Sequence, residues 1–185
     1  VHIQATDIGV DGAANWNIDA IDIDSTGYLV HPNLVNSLDD MQVGDVISCE
    51  YNASSGSIGT FSNLGAATKE SIPVTGSATP NGSFNFIFVG YDHLGRMKLI
   101  ADRNIQSNIS WDTLNAAGLA GGENSVSIDG EYYSMRLLSG GVSGTDKDNE
   151  WDKIIVEYNL DGKITAGDNS VWSWSGIGSW TSTTP

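Results

Sequence analysis

Cysteine is nearly absent from this 185-residue chain: Cys49 stands alone. That excludes an intrachain disulfide and any zinc site built on cysteines. Basic side chains are also scarce, with 8 Lys and Arg against 23 Asp and Glu and a formal net charge of −15. Residues 1–68 hold nine acids (Asp7, Asp11, Asp19, Asp22, Asp24, Asp39, Asp40, Asp45 and Glu50) and neither Lys nor Arg. Nucleic acid is held by basic groups that displace counterions, so nucleic-acid binding is not expected, nor is binding to anionic lipid. The acidic surface serves solubility, or attachment of a cation or a basic partner. No apolar run approaches the roughly 18 residues of a membrane span. No basic, apolar stretch opens the chain in the manner of a signal peptide, and residue 1 is Val rather than Met, which fits a processed or trimmed chain.

Catalytic groups are equally thin. The three histidines, His2, His31 and His93, fall in expected arms or turns, far in sequence from Cys49, and no G-x-S-x-G elbow exists. Paired carboxylates are too common in so acidic a chain to point to a glycosidase. The expectation is a non-enzymatic protein. Its length suits one domain, or one domain with an extension, large enough to bury a core without a metal or disulfide.

What the chain does have is Gly, Ser, Thr and Asn throughout, between short strand-like runs, the pattern of β structure joined by turns. Ile18 to Ile23 alternates apolar and acidic in part, Asp24-Ser25-Thr26-Gly27 turns, and Tyr28-Leu29-Val30 returns as a hairpin. Residues 1–40 are thus expected to form a β arm for attachment or oligomerisation, ahead of a domain at 41–185. Val43 to Tyr51 reads as a strand, and Phe84 to Val89 as the strongest strand of the chain. Asp92 to Arg96 then turns into a second hairpin strand, Met97 to Ala101.

Two short helices are expected next. Ser110 is a good N-cap for Trp111 to Ala117, with Gly118 as the stop. Trp151, Ile154, Ile155 and Tyr158 follow i, i+3, i+4, i+7 spacing, with Asp148, Glu150 and Asp152 at the positive end of the helix dipole. The three acids Asp146, Asp148 and Glu150 read as helix caps or as cation ligands. Glu157 to Asp168 follows the EF-hand order, with Glu157, Asn159, Asp161 and Asp168 as candidate calcium ligands and Gly162 at the sharp turn. The competing reading is a helix C-terminus at Gly162 followed by a turn. Beyond it, Trp172 and Trp174 alternate with Ser173 and Ser175 as in a strand. With Trp180 they form a candidate glycan platform, since indole faces stack on the apolar faces of sugars; the competing reading is core packing.

Four elements carry a family resemblance: Ser110-Trp111-Asp112, Tyr133 to Leu138 before a Gly-rich stretch, Asn149-Glu150-Trp151, and Val171-Trp172-Ser173-Trp174. Together they resemble the core of the C-type-lectin-like fold of the formylglycine-generating-enzyme type. The run from Gly82 through Arg103, then Ile109 to Asn115, resembles more closely uncharacterised phage and prophage structural proteins of Gram-positive bacteria, of tail-fibre or surface-appendage type. The resemblance covers about residues 41 to 182. It implies an α+β, β-rich fold: a C-type-lectin-like domain with two short helices behind the β arm. It also implies a virion or extracellular-surface location, and a receptor-binding or host-attachment role toward a cell-surface glycan. The implied partners are copies of the chain itself, as a homo-oligomer, and other virion or appendage proteins, without membrane insertion. The formylglycine oxidase works with paired cysteines, so that activity is not implied. A purely structural, self-assembling filament or decoration subunit is the second reading.

Overall fold

The structure, a computed structural model, describes residues 32–66, 81–122, 124–172 and 178–183. The arm hairpin expected at 18–30, Trp174 and most of the arm lie outside those residues. The described chain forms a mixed α+β fold dominated by one curled sheet. Its six strands are β1 (Val46–Asn52), β2 (Thr60–Ser62), β3 (Asn81–Tyr91), β4 (Met97–Ala101), β5 (Asn124–Ile128) and β6 (Glu131–Met135). Their order across the sheet is β4-β3-β1-β2-β5-β6.

The sequence of β3 explains the centre of this sheet. Phe84, Phe86 and Phe88 point to one face, where Phe84 and Phe88 are buried with Cys49 and Ile47 of β1. Ile87 and Val89 point to the other face, where they are buried with Val46, Ile100, Ile155, Leu160, Ile164 and Trp172. A strand covered on both faces carries a nearly continuous apolar run instead of an alternating one. β1 pairs antiparallel with β3 from Val46↔Ile87 to Asn52↔Asn81. The β3–β4 hairpin is closed by Asp92, whose Oδ1 accepts from Leu94 N (2.8 Å) and Arg96 N (2.9 Å). Backbone donors around a carboxylate favour its charged form, and with Arg96 beside it Asp92 is held at about 2.

The start of the described chain docks onto β1. Val35 N donates to Val46 O (2.9 Å), Val46 N to Asn33 O (2.8 Å), and Val35 and Leu38 pack near Met41, Ile47 and Phe88. Gly44 turns the chain into β1 at φ +88, where a Cβ would meet Lys163 Cβ at 2.7 Å and Leu160 O at 2.9 Å.

The first helix, α1 (Trp111–Ala116), begins as its sequence predicts: the Ser110 hydroxyl accepts from Thr113 N (3.1 Å). Gly118 leaves it at φ +77. The second expected helix is a π-helical segment, Trp151–Val156, whose wider turn is closed by Glu157 N donating to Asp152 O (3.0 Å). Its start is locked by buried Asn149, which accepts from Asp152 N (2.9 Å) and donates to Asp152 Oδ2 (2.8 Å). The segment ends before Tyr158, which faces solvent instead of sharing the core with Ile155.

Val171 and Trp172 do not form a strand. They close a single helical turn, α2 (Asn169–Trp172). Asp168 starts it, its Oδ1 accepting from Ser170 N (2.8 Å) and its carbonyl from Trp172 N (3.0 Å). Strand-like alternation over so few residues yields to a strong helix-starting residue just upstream.

Candidate functional site

The edge strands of the curled sheet face one another. Pairing directions place β4 and β6 both parallel to β1, since β3 and β4 are successively antiparallel, and β5 is parallel to β2 while β6 is antiparallel to β5. Between these two edges lies an open cavity of about 1460 Å³, lined by every residue of β4 and by Tyr132–Met135 of β6. Its floor is aromatic, with Phe61 and Phe86, and Phe86 packs edge-on to Phe84 at 4.8 Å. This exceeds the roughly 300–1,000 Å³ of a typical small-molecule site.

Glu150 spans one end of the opening. One carboxylate oxygen accepts from Lys98 Nζ on β4 (2.9 Å), and both accept from Arg136 just past β6 (2.6 Å each). Ser139 N adds a further donor at 3.2 Å, and the Ser139 hydroxyl accepts from Glu150 N at 2.9 Å. With two cations and a backbone donor around it, the Glu150 carboxyl is lowered from 4.5 to about 2. Glu150, expected at a helix start as a cap or cation ligand, ties β4 to the end of β6. Lys98 and Arg136 are 52 and 14 residues away from it, so no local pattern announces the pairing. The flanking acids are used locally: Asp146 accepts from Val142 N, and Asp148 pairs with Lys153.

The predicted tryptophans separate. Trp172 is in the core, with 2% of its surface exposed, yet it borders the cavity, and its indole Nε1 has no hydrogen-bond acceptor among the described residues. Trp180 is 47% exposed at the cavity mouth. Its Nε1 donates to Ile109 O (2.9 Å), which fixes the ring. The C-terminal residues are held by Trp111 Nε1 on Thr181 O (3.0 Å) and by Ser182 N on Leu138 O (2.8 Å). Asn104, Gln106 and Asn108 line the same cavity. Gln106 accepts from the Tyr51 hydroxyl (2.7 Å) and donates to Ser57 O (2.8 Å), Asn104 accepts from the Ser179 hydroxyl (2.9 Å) and donates to Gly178 O (3.4 Å), and Asn108 is exposed.

The candidate calcium ligands are spent on the turn itself. Asn159 Oδ1 accepts from Ala166 N (2.7 Å), Asp161 Oδ1 from the Tyr158 hydroxyl (2.9 Å), and Asp168 Oδ1 from Ser170. Glu157 is exposed. Leu160, Asp161 and Gly162 are successively left-handed (φ 36, 55 and 82), the backbone of a reversing turn after the π-helical segment. No three His, Cys, Asp or Glu side chains converge on an ion site among the described residues.

The one thiol lies inside the sheet. Cys49 Sγ contacts Ser62 O (3.4 Å), and burial pushes its pKa up to about 11, which keeps it protonated and a poor nucleophile. His93 sits exposed on the β3–β4 turn at the cavity mouth. No helix among the described residues is long and apolar enough to cross a membrane. Searches against protein-family models, curated proteins and solved structures found no match to this chain.

Proposed function

We propose that the chain is a non-enzymatic structural subunit of a virion or surface appendage, of tail-fibre or receptor-binding type, and that it binds a host-surface glycan at the Trp180 rim. The observation that carries the glycan reading is Trp180 itself. Its ring is pinned through Nε1 to Ile109 O and is 47% exposed, and the exposed side-chain amide of Asn108 lines the same cavity. An indole face takes the C–H face of a pyranose, while a planar amide such as that of Asn108 reaches its hydroxyls. Of the three tryptophans expected to form the platform, Trp172 is packed in the core and Trp174 lies outside the described residues, so the reading rests on Trp180 with Asn108 beside the same cavity. The resemblance of residues 41–182 to tail-fibre-like proteins with a C-type-lectin-like core supports the appendage role. The buried, protonated Cys49 supports a non-enzymatic one.

A glycan array followed by titration calorimetry tests this reading. The native chain binds a defined set of surface sugars, and Trp180→Ala weakens binding about tenfold, roughly 1.4 kcal/mol, with an unchanged melting temperature. An array without hits, or equal binding by Trp180→Ala, overturns it.

A further inference from the structure

We infer that the opening between β4 and β6 is a docking slot for the N-terminal arm of a second copy of this chain, which enters as an added strand. The inference rests on the sheet and on charge, and is independent of glycan binding at Trp180. The slot has the form of a missing strand. The outer edges of β4 and β6 pair with no strand among the described residues. Because both edges run in the same direction, one incoming strand could lie antiparallel to both and satisfy their exposed backbone groups. The cavity runs the full length of β4 and presents apolar Leu99, Ile100 and Met135 along its walls. Trp172 Nε1, buried there with no acceptor among the described residues, offers a donor to an arriving carbonyl.

Charge selects the occupant. All three arginines of the chain, Arg96, Arg103 and Arg136, line the cavity together with Lys98, paired with the three acids Asp92, Asp102 and Glu150. Four cations against three acids leave the wall one charge positive in a molecule of net charge −15. Residues 1–31 carry Asp7, Asp11, Asp19, Asp22 and Asp24 with no Lys or Arg, and within them Ile21 and Ile23 alternate with Asp22 and Asp24. Such a segment offers apolar side chains to the slot and acids to its basic rim, the logic of strand addition with electrostatic register.

Reach favours a neighbour's slot over the chain's own. Asn33 is tied to Val46 on β1, and in the sequence reading only His31 and Pro32 separate it from the hairpin at 18–30. Two residues span about 7 Å. A strand lying beyond β4 is three strand spacings, about 14 Å, from β1. Donation to a neighbour is a heterologous contact, which propagates as a ring or a filament.

The test uses the whole 185-residue chain. Sedimentation velocity from micromolar upward should show assembly that grows with concentration; a monomer throughout overturns the inference. Ile21→Asp with Ile23→Asp should match the native melting temperature at concentrations where the native chain is monomeric and should abolish assembly at higher ones; assembly that survives overturns it. Hydrogen exchange then locates the contact. Amides of Met97–Ala101 and Glu131–Met135 should exchange about tenfold faster in the double variant than in the native assembly. Equal exchange overturns the slot as the seat of contact even where assembly is lost.

Discussion

At the scale of single residues, Glu150 does the most with one side chain. It joins Lys98 on one sheet edge to Arg136 at the other, and Ser139 N completes its shell. Its folded pKa, about 2, lies below its ordinary 4.5. A carboxylate lowered by folding contributes stability above its unfolded pKa, and that contribution is lost as pH falls through the folded value. Urea denaturation should therefore show a stability loss between about pH 4.5 and pH 2 that Glu150→Gln removes. The variant should also lose about 2–3 kcal/mol at neutral pH, the worth of hydrogen bonds to a charged group. A native profile flat across that window would show that the clasp does not hold the edges together. Trp172 and Trp180 make the complementary point. Neighbouring letters could not separate them, because one is buried by Ile155, Leu160 and Ile164 and the other is left at a rim by Ile109.

At the scale of elements, what the sequence announces best is local. Ser110 caps α1, Asp92 closes the β3–β4 hairpin, and Met97–Ala101 is the strand read from its pattern. Each depends on contacts within a few residues, so each was legible before any coordinates. Ser110→Ala removes the acceptor for Thr113 N and should cost about 1 kcal/mol in chemical denaturation. Ser110→Asp should restore most of that loss. The failures share a cause. The Trp151 segment shows helical periodicity, but the bonds of Asn149 to Asp152 and the packing of Ile155 hold it as a π-helix. Of the strand expected from Trp172 to Ser175, only Trp172 lies among the described residues, and it closes a helical turn that Asp168 starts. The calcium pattern, Glu157, Asn159, Asp161 and Asp168, is spaced as a ligand loop, whereas the folded turn directs the last three toward Ala166, Tyr158 and Ser170.

At the scale of the whole molecule, a ligand that binds only the folded state raises its stability in proportion to occupancy. Since the turn oxygens of Asn159, Asp161 and Asp168 are already accepting hydrogen bonds, the melting temperature should be the same with millimolar calcium as with a chelator. A rise of several degrees with calcium would show that these bonds give way to an ion. By itself the sequence determined composition-level and short-range matters: the acidic charge, the exclusion of disulfide and cysteine-zinc chemistry, the β-rich class, the capped helix and the tight hairpin. Only the tertiary structure decided which faces of β3 are covered, which tryptophan is exposed, and where Glu150 finds its partners. Those outcomes depend on residues brought together from distant parts of the chain, as Lys98 and Glu150 are, and on a sheet that curls until its two edges face one slot. Periodicity constrains which face a residue occupies within its own element. It carries no information about what packs against that face, and that is the physical reason the binding rim and the slot become visible only in the fold.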